Sequence, residues 1–518
     1  MSSNKLYVFG IGGTGSRVLK SLTMLLAAGV ECGADTIVPI IIDRDMQNED
    51  LTRTKLLIDD YIAAYEIAEK TKKNRFCKTR IKKLGGRLEL ALQGDAKQFS
   101  EFIGKETMTP ENQALVDMLF SKETLTLDMT AGFQGNPNIG SVVLNQFDDN
   151  DIFKEFSNDF ESGDKIFIIS SIFGGTGASG FPLLIKVLNE KKPDADKQGL
   201  KNWGKINNAP KGAVSILPYF KVGSSEDSLV NSDTFTDKTK AALSYYKTLN
   251  KQLDTLYYIG DKNPSTFEHH KGGEKQRNDA HFIELVAALS ILDFVNPNKT
   301  KDNIHKAIDI PNSQKVTREN TTYAEYGFLP DKGMENSTVI DFTNLGNETK
   351  ELLVESITRF AMFCKYMGYS RTWNALKEKY EVEKLDDNVF DKEYSKQPYS
   401  HLLGESAQKL KSKITKLLDL QAKFYEWLIE MDSSRHSRKF YPLNLEKTTP
   451  FDFVKGEIND KIVVAPKRGE EIRRVKGWAR VDNALNKQIL NTDESLEAEE
   501  RFLDAFYLAT KSLINFKN

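Results

Sequence analysis

The sequence predicts an α/β protein with an open, mainly parallel sheet that carries helices on both faces. Three observations support this prediction. Short apolar, β-branched runs alternate with helical patterns from residue 5 to residue 295, which is typical of βαβ units. Glycine-rich segments follow several of these runs. A helical pattern at Asp279–Val295 is apolar on more than one face, so we expect a core helix buried between two domains.

Length and composition indicate a multi-domain globular chain. It has 518 residues, of which 39% are hydrophobic and 28% are charged, so we expect two or three domains. The predicted divisions are a sheet domain at 1–277, the core helix at 278–296, a second domain with short strands and a helix at 297–385, and a helical C-terminal extension at 386–518.

Charge and cysteine usage exclude several classes. The net charge of −2 at pH 7 gives no general argument for binding nucleic acid or an anionic membrane. The three cysteines are scattered without metal-ligand spacing, which fits a reducing compartment. The first apolar run leads directly into a glycine motif, unlike a signal peptide. No apolar run reaches the roughly 18 residues that span a bilayer. The sequence therefore predicts a soluble, cytoplasmic protein.

The first glycine motif lies near the N-terminus. Lys5–Phe9 has the pattern of a strand, Gly10–Ser16 follows it, and Arg17–Ala28 has a helical pattern. The spacing G-x-G-G-x-G between a strand and a helix is typical of a nucleotide phosphate loop, because glycines permit a tight turn and close backbone approach. The candidate binding residues are Gly10, Gly12, Gly13, Thr14 and Gly15. A glycine turn that binds no ligand is the alternative.

Acidic residues follow the second predicted strand, Thr36–Ile42. A carboxylate at this position commonly meets a ribose hydroxyl or a metal-bound phosphate. Asp43 and Asp45 are the candidates here, and capping of the strand end is the alternative interpretation. The charged stretch from 51 to 120 has mostly helical patterns and contributes no predicted chemistry.

A further glycine segment, here called the third loop because it follows Gly10–Ser16 and the acidic segment, comes after a predicted short strand at Leu125–Met129. Its candidate ligand-contacting residues are Gly132, Gly135 and Asn136, and we expect a helix at Ser141–Phe147.

The central glycine loop has the clearest strand–loop–helix pattern of the glycine segments. Ile166–Ile169 predicts a buried strand, Gly174–Gly177 a loop, and Phe181–Asn189 a helix. Small residues let backbone N–H groups approach an anion, and the helix dipole at its N-terminus favours negative charge. Gly174, Gly175, Thr176 and Gly177 are therefore candidate phosphate ligands.

Later segments complete the predicted sheet and the C-terminal region. Gly212–Leu217 and Leu253–Ile259 are predicted strands with a helix at Asp237–Gln252 between them. Ligands of such sheets bind at the carboxyl ends of the strands, where the glycine loops fall. Beyond 296 we expect strands at Tyr323–Leu329, Thr338–Phe342 and Lys461–Ala465, and helices at Glu348–Met367, Leu402–Met431 and Glu494–Lys511. The heptad spacing within Leu402–Met431 indicates packing on neighbouring helices or a seam for a partner.

The glycine segments together resemble a known family. Phe173–Ser179 is similar to the GGGTG(S/T)G signature of the tubulin/FtsZ superfamily, with Phe173 and Ser179 in place of its first and last glycines. Five loops between residues 5 and 295 follow the family's order. The resemblance is to a divergent bacterial tubulin-like protein. It implies a Rossmann-like GTPase domain that binds GTP or GDP with Mg²⁺, and head-to-tail self-assembly into filaments.

The resemblance also implies roles for particular residues. Pro218 falls near the ribose, Asp261 or Asn263 near the guanine edge, and Asn278 near the base. The family completes its site with acidic residues from a loop after the core helix of a second subunit. Residues 296–303 lack the usual Asn-x-Asp-x-x-Asp pattern, so Asp293 and Asp302 are the catalytic candidates and hydrolysis is less strongly implied than binding.

Three other functions stay open. The first is a nucleotide-binding scaffold that does not hydrolyse its nucleotide. The second is a ThiF-like, ATP-dependent adenylating enzyme, which Gly10–Arg17, the acidic residues after the second strand and Arg53 also resemble. The third is a nicotinamide-dependent oxidoreductase, which leaves the central loop unexplained. The C-terminal helices are candidate contacts for a partner protein.

Overall fold

The structure is a computed structural model. It describes residues 4–45, 48–71, 75–90, 96–133, 135–145, 150–222, 235–249, 252–260, 265–267, 277–295, 317–318, 321–326, 347–368, 389–433 and 478–513.

The centre of the fold is an eight-stranded sheet with the order β3-β2-β1-β4-β5-β7-β10-β9. Every neighbouring pair is parallel except β9 and β10, which confirms the predicted Rossmann-like α/β class. A separate parallel pair is formed by β6 and β8. The strands are β1 Lys5–Ile11, β2 Thr36–Ile42, β3 Arg80–Ile81, β4 Lys165–Ser171, β5 Lys211–Ile216, β6 Phe220–Val222, β7 Thr255–Ile259, β8 Ser265–Phe267, β9 Thr317–Arg318 and β10 Thr321–Tyr326.

Helices cover the sheet and form most of the described part of the C-terminal region, as predicted. In the first part of the chain they are α1 Gly12–Ala27, α2 Glu49–Glu69, α3 Phe99–Phe102, α4 Pro110–Leu119, α5 Lys122–Leu125, α6 Pro137–Val143, α7 Asp151–Asp159, α8 Gly175–Asn189, α9 Trp203–Asn208, α10 Phe235–Leu249 and α11 Phe282–Phe294. The C-terminal helices are α12 Asn347–Met367, α13 Val389–Glu393, α14 Pro398–Leu403, α15 Ala407–Lys413, α16 Thr415–Ser433, α17 Trp478–Ile489 and α18 Ala498–Leu513. None of the helices within the described ranges is both long and apolar enough to cross a membrane.

The apolar runs of the sequence become strands because their side chains are buried. All seven residues of β1 are buried, and β1 pairs with β2 on one side and with β4 on the other. A parallel strand covered by helices on both faces needs apolar side chains on both faces. Continuous hydrophobicity therefore located β1, β2 and β4 correctly.

Two predictions of secondary structure are wrong. The predicted strand Leu125–Met129 is instead the end of α5, followed by a 3₁₀ turn at Met129–Ala131. The side chains of Ser121 and Asp128 accept backbone N–H groups there, at 3.3 and 2.9 Å, and such local bonds favour turns over strands. The predicted single helix Leu402–Met431 is three helices, α14 to α16, because Gly404 ends the first with a φ of 69°.

Other differences concern bounds. The predicted strand Tyr323–Leu329 is β10, and it joins the main sheet beside β7. Thr338–Phe342 and Lys461–Ala465 lie outside the described residues, so those two predicted strands stay predictions. The proposed domain divisions also stay predictions.

The core helix α11 is buried as the sequence predicts. Nearly every residue from Phe282 to Asp293 is inaccessible to solvent. His281 and Glu284 form a capping box at its start, which is the structural explanation for that residue pair. The helix begins near Tyr219, after β5, and its last residue, Phe294, packs on Gly212 near the start of β5. It therefore runs along the sheet in the direction opposite to the strands.

A buried carboxylate joins the C-terminal helix α16 to the sheet domain. Glu430 accepts from Lys20 of α1 at 2.7 Å, from Arg53 of α2, and from the backbone N–H of Ala280 at 3.1 Å. Burial alone would raise the pKa of Glu430, but the positive charges of Lys20 and Arg53 outweigh it and lower this pKa to about 2.

We expect Glu430→Gln to reduce the free energy of unfolding by about 3–5 kcal/mol, because it leaves buried Lys20 without its counter-charge and removes the buried partner of Arg53. The depressed pKa means that Glu430 stabilises the fold fully above about pH 4.5 and loses this effect as the pH falls toward 2. Thermal unfolding at pH 7 and pH 3 measures both effects. Glu426→Gln, at a partly exposed partner of Arg53, is the control with a smaller loss. Equal melting temperatures for the two variants would contradict this account.

Candidate functional site

The predicted glycine loops lie together at the carboxyl ends of β1, β2 and β4. A methyl group on Gly12 would lie 3.4 Å from Cβ of Thr176. One on Gly175 would lie 3.0 Å from the backbone nitrogen of Gly135 and 3.2 Å from that of Asn136. These five residues come from three separate loops, so the fold brings together in one place what the sequence predicts separately.

The acidic residues that follow β2 lie beside the same loops. A methyl group on Gly132 would lie 3.9 Å from Cβ of Asp45, and one on Gly13 would lie 3.8 Å from the side-chain nitrogen of Asn48. The three glycine loops and the acidic segment after β2 are therefore neighbours.

Two long helices begin at this site without a capping side chain. The residue before α1 is Ile11 and the residue before α8 is Gly174, and neither can accept a hydrogen bond through its side chain. The first N–H groups of a helix have no partner within the helix, and the helix dipole adds partial positive charge there. The site therefore offers backbone donors and a field that favour an anion.

The loops are shorter than the sequence predicts. Strand β1 continues through Gly10 to Ile11, and α1 begins at Gly12, which has a φ of 71°. Helix α8 likewise begins at Gly175, six residues earlier than predicted. A single glycine with positive φ makes the turn from β1 into α1, and this sharpness places the helix N-terminus directly above the strand.

Two of the predicted ligand glycines have a packing explanation. A methyl group on Gly15 would lie 2.5 Å from the carbonyl carbon of Gly10, and one on Gly177 would lie 2.5 Å from the carbonyl oxygen of Ser171. Side chains at Gly15 and Gly177 would force α1 away from β1 and α8 away from β4. These glycines position the helices, whereas Gly12, Gly13 and Gly175 lie where the loops face one another.

Two residues with buried carboxylates follow β2. Asp43 and Asp45 are 5% and 3% exposed, and the backbone N–H of Asp45 donates to Asp43 at 3.3 Å. Burial raises the pKa of Asp43 to about 7, and the charge of Asp45 adds to the effect. Within the described part of the chain, no group of three or more His, Cys, Asp or Glu side chains is arranged to hold a metal ion. Mg²⁺ commonly uses only one or two carboxylates together with phosphates and water, so this pair fits that ion.

A buried guanidinium lies behind the first loop. Arg17 donates to Glu284 at 2.6 Å, to Tyr219 at 2.7 Å and to Asp50 at 3.1 Å, and it reaches Thr14 at 3.4 Å. Burial opposes its charge, but these partners hold the pKa of Arg17 well above its usual value. The arginine therefore fixes the start of α1 against α2, the core helix and the segment after β5.

An aromatic cluster gives Phe173 a structural role beside the central loop. Its ring packs on Tyr219, Phe220 and Phe235, with ring centroids 6.2, 5.4 and 5.0 Å away. The phenyl group fills the space between the central loop, the end of β5 and the start of α10.

Sequence reasoning missed Lys238 on α10. Its ammonium donates to the carbonyl oxygen of Gly135 at 3.0 Å, and burial lowers its pKa. It is the cation that α10 brings against the third loop. No pattern distinguishes this lysine from Lys240, which is exposed on the same helix. Asn48, which caps α2 beside Gly13, was missed for the same reason.

The remaining predicted site residues are either held by other parts of the fold or lie outside the described residues. Asp293 is buried in the core and accepts from the hydroxyl of Tyr257 at 2.6 Å. Asn278 donates to Asp50 through its backbone and its side chain, each at 3.1 Å. Pro218 is partly buried after β5. The predictions for Asp261, Asn263 and Asp302 concern residues that the structure does not describe.

Of the comparisons with known proteins, only the one with solved structures gives matches. No protein-family model matches the chain, and no curated protein matches its sequence significantly. Among solved structures, the chain is similar to CetZ, a tubulin-like protein, from Methanosaeta thermophila strain DSM 6194. Identity is 13% and the TM-score is 0.26, over 68% of this chain and 60% of that one. The match spans less than two thirds of that protein, and at this TM-score it carries no argument about fold or function.

The two classes of glycine predict different responses to alanine. Gly15→Ala should lower the stability by about 1–3 kcal/mol through overpacking against Gly10, even though alanine favours the helix. Gly13→Ala should leave it within about 0.5 kcal/mol, because the added methyl group would lie 3.6 Å from the nearest side-chain atom. Thermal unfolding of the two variants tests this, and equal melting temperatures would contradict the packing role of Gly15.

Proposed function

We propose that this chain binds GTP, with its phosphates held between the loops at the carboxyl ends of β1 and β4. The observation that carries the proposal is the meeting of two uncapped helix starts, at Gly12 and Gly175, with the third loop around Gly135. Backbone N–H groups and helix dipoles at such a point are suited to phosphate. The resemblance of the loop order to the tubulin/FtsZ superfamily supports guanine as the base.

The residues around the loops fit a nucleotide with Mg²⁺. Backbone N–H groups at Gly12, Gly13, Gly175 and Thr176 would donate to phosphate oxygens, and Lys238 would add a positive charge. The ion would neutralise phosphate charge when bound. Asp43 and Asp45 would hold it directly or through water, and a divalent cation would favour the ionised form of Asp43.

The proposed function extends to head-to-tail assembly, with hydrolysis completed by an acidic group of the next copy. Asp293 is engaged with Tyr257 inside the core. The proposal therefore assigns the role of orienting the attacking water to Asp302.

A second candidate function is a nucleotide-binding scaffold without hydrolysis. The burial of Asp293 favours it, because one of the two catalytic candidates is held away from solvent. GTP binding without phosphate release would select this alternative.

The adenylating-enzyme alternative is less well supported by the described residues. Arg53, which the ThiF-like resemblance uses, is bound to Glu430. Cys77 and Cys364 are buried and burial raises their thiol pKa values, and burial raises the pKa of Cys32 to about 11. None of the three has the thiolate character of a catalytic nucleophile.

Calorimetric titration of the chain with GTP, ATP and NAD in Mg²⁺ tests the proposal. We expect GTP to bind, and Lys238→Ala to weaken binding about tenfold, since a charged hydrogen bond to phosphate contributes on the order of 1.4 kcal/mol or more. Lys240→Ala is the matched control, because Lys240 is exposed two residues away on the same helix.

The possible results separate the functions. Preference for ATP or NAD would favour one of the other nucleotide-dependent classes. Absence of binding to all three nucleotides would overturn the proposal.

A further inference from the structure

Residues 99–125, here called the arm, form a helical projection beside the proposed site. The arm contains α3, α4 and α5, which are joined through the ring contact between Phe99 and Phe120 at 5.0 Å. Its base is attached to the loops: Arg44 donates to the carbonyl oxygen of Ala96 at 3.1 Å, and Met129 donates to that of Lys97 at 2.8 Å. The arm therefore stands at the carboxyl end of the sheet.

The arm exposes an apolar helix face. Leu115, Met118 and Leu119 are 53%, 84% and 65% exposed, and their spacing puts them on one side of α4. No residue of α4 is buried. A cluster of three large apolar side chains in solvent is typical of a contact surface for another protein.

The arm is acidic, and the opposite end of the sheet carries a basic segment. The arm has five carboxylates and two lysines, a net charge of −3. Residues 191–205, here called the basic segment, have five lysines and two aspartates, a net charge of +3. This segment begins after α8 and ends within α9, which precedes β5, and the backbone of Lys201 donates to Asn158 of α7, which precedes β4. It therefore lies at the amino end of the strands.

We propose that the arm of one copy docks on the basic segment of a second copy. This inference rests on the assembly part of the proposed function and names the surfaces that make it. Opposite net charges favour this pairing, whereas two arms face to face would place like charges together. The aliphatic stems of the lysines would cover the apolar face of α4. Because the two surfaces lie at opposite ends of the sheet, each docked copy leaves one of each surface open, and the contact repeats into a filament.

Two double variants test the contact. Leu115→Gln with Met118→Gln removes the apolar surface of the arm without changing its charge, and Lys201→Glu with Lys205→Glu removes the charge of the basic segment. All four side chains are exposed, so both proteins should fold with unchanged melting temperatures. Sedimentation velocity, with and without GTP, should show wild-type polymers and two variants that are monomeric on their own. Their equimolar mixture should give a species that stops at a dimer, because it contains one intact copy of each surface.

A control variant and two further outcomes distinguish this contact from other modes of association. Leu490→Gln changes an exposed leucine in the C-terminal region, and this control should assemble like the wild type. Self-association of the basic-segment variant alone would show an arm-to-arm contact and overturn the inference. A wild-type chain that binds GTP in calorimetry but stays monomeric in every condition would also overturn it, while leaving the nucleotide proposal intact.

Discussion

The buried guanidinium of Arg17 holds the parts of the site in place. It joins α1, α2, the segment after β5 and the core helix through Asp50, Tyr219 and Glu284. Each partner is itself buried, so the interaction works in a low dielectric where an unpaired charge would be costly. Because Arg17 lies one helical turn after Gly13, the same contacts that fix the core helix also fix the first glycine loop.

Close packing at three glycines then sets the positions of the helices around the site. Gly10 and Gly15 let α1 approach β1, and Gly177 lets α8 approach β4, so the two helix starts face the same space. Glu430 then attaches the C-terminal helix α16 to α1 and α2 from the other side. The N-terminal ends of the helices, the core helix and the C-terminal region are thus coupled through a few buried charges.

The sequence predicted the sheet and the glycine loops well because both follow from local patterns. Buried parallel strands require apolar runs such as Thr36–Ile42, and sharp strand-to-helix turns require glycine. The turns around Leu125–Met129 depend on local side-chain hydrogen bonds that compete with strand formation. The position of Lys238 depends on its contact with Gly135, which is distant in the sequence. Hydrophobic periodicity predicts neither. The exposed surface of the arm was not predicted, because its apolar residues have the spacing of a helix face that packs on a core. Only the fold shows that this face is exposed.

The central claim is that the loops at Gly12, Gly175 and Gly135 form one phosphate site. An experimental structure of the chain soaked or crystallised with a non-hydrolysable GTP analogue and Mg²⁺ tests it most directly. The account predicts phosphate oxygens within hydrogen-bonding distance of the backbone N–H groups at Gly12 or Gly13 and at Gly175 or Thr176. A nucleotide bound elsewhere, with these N–H groups remote from its phosphates, would contradict the claim.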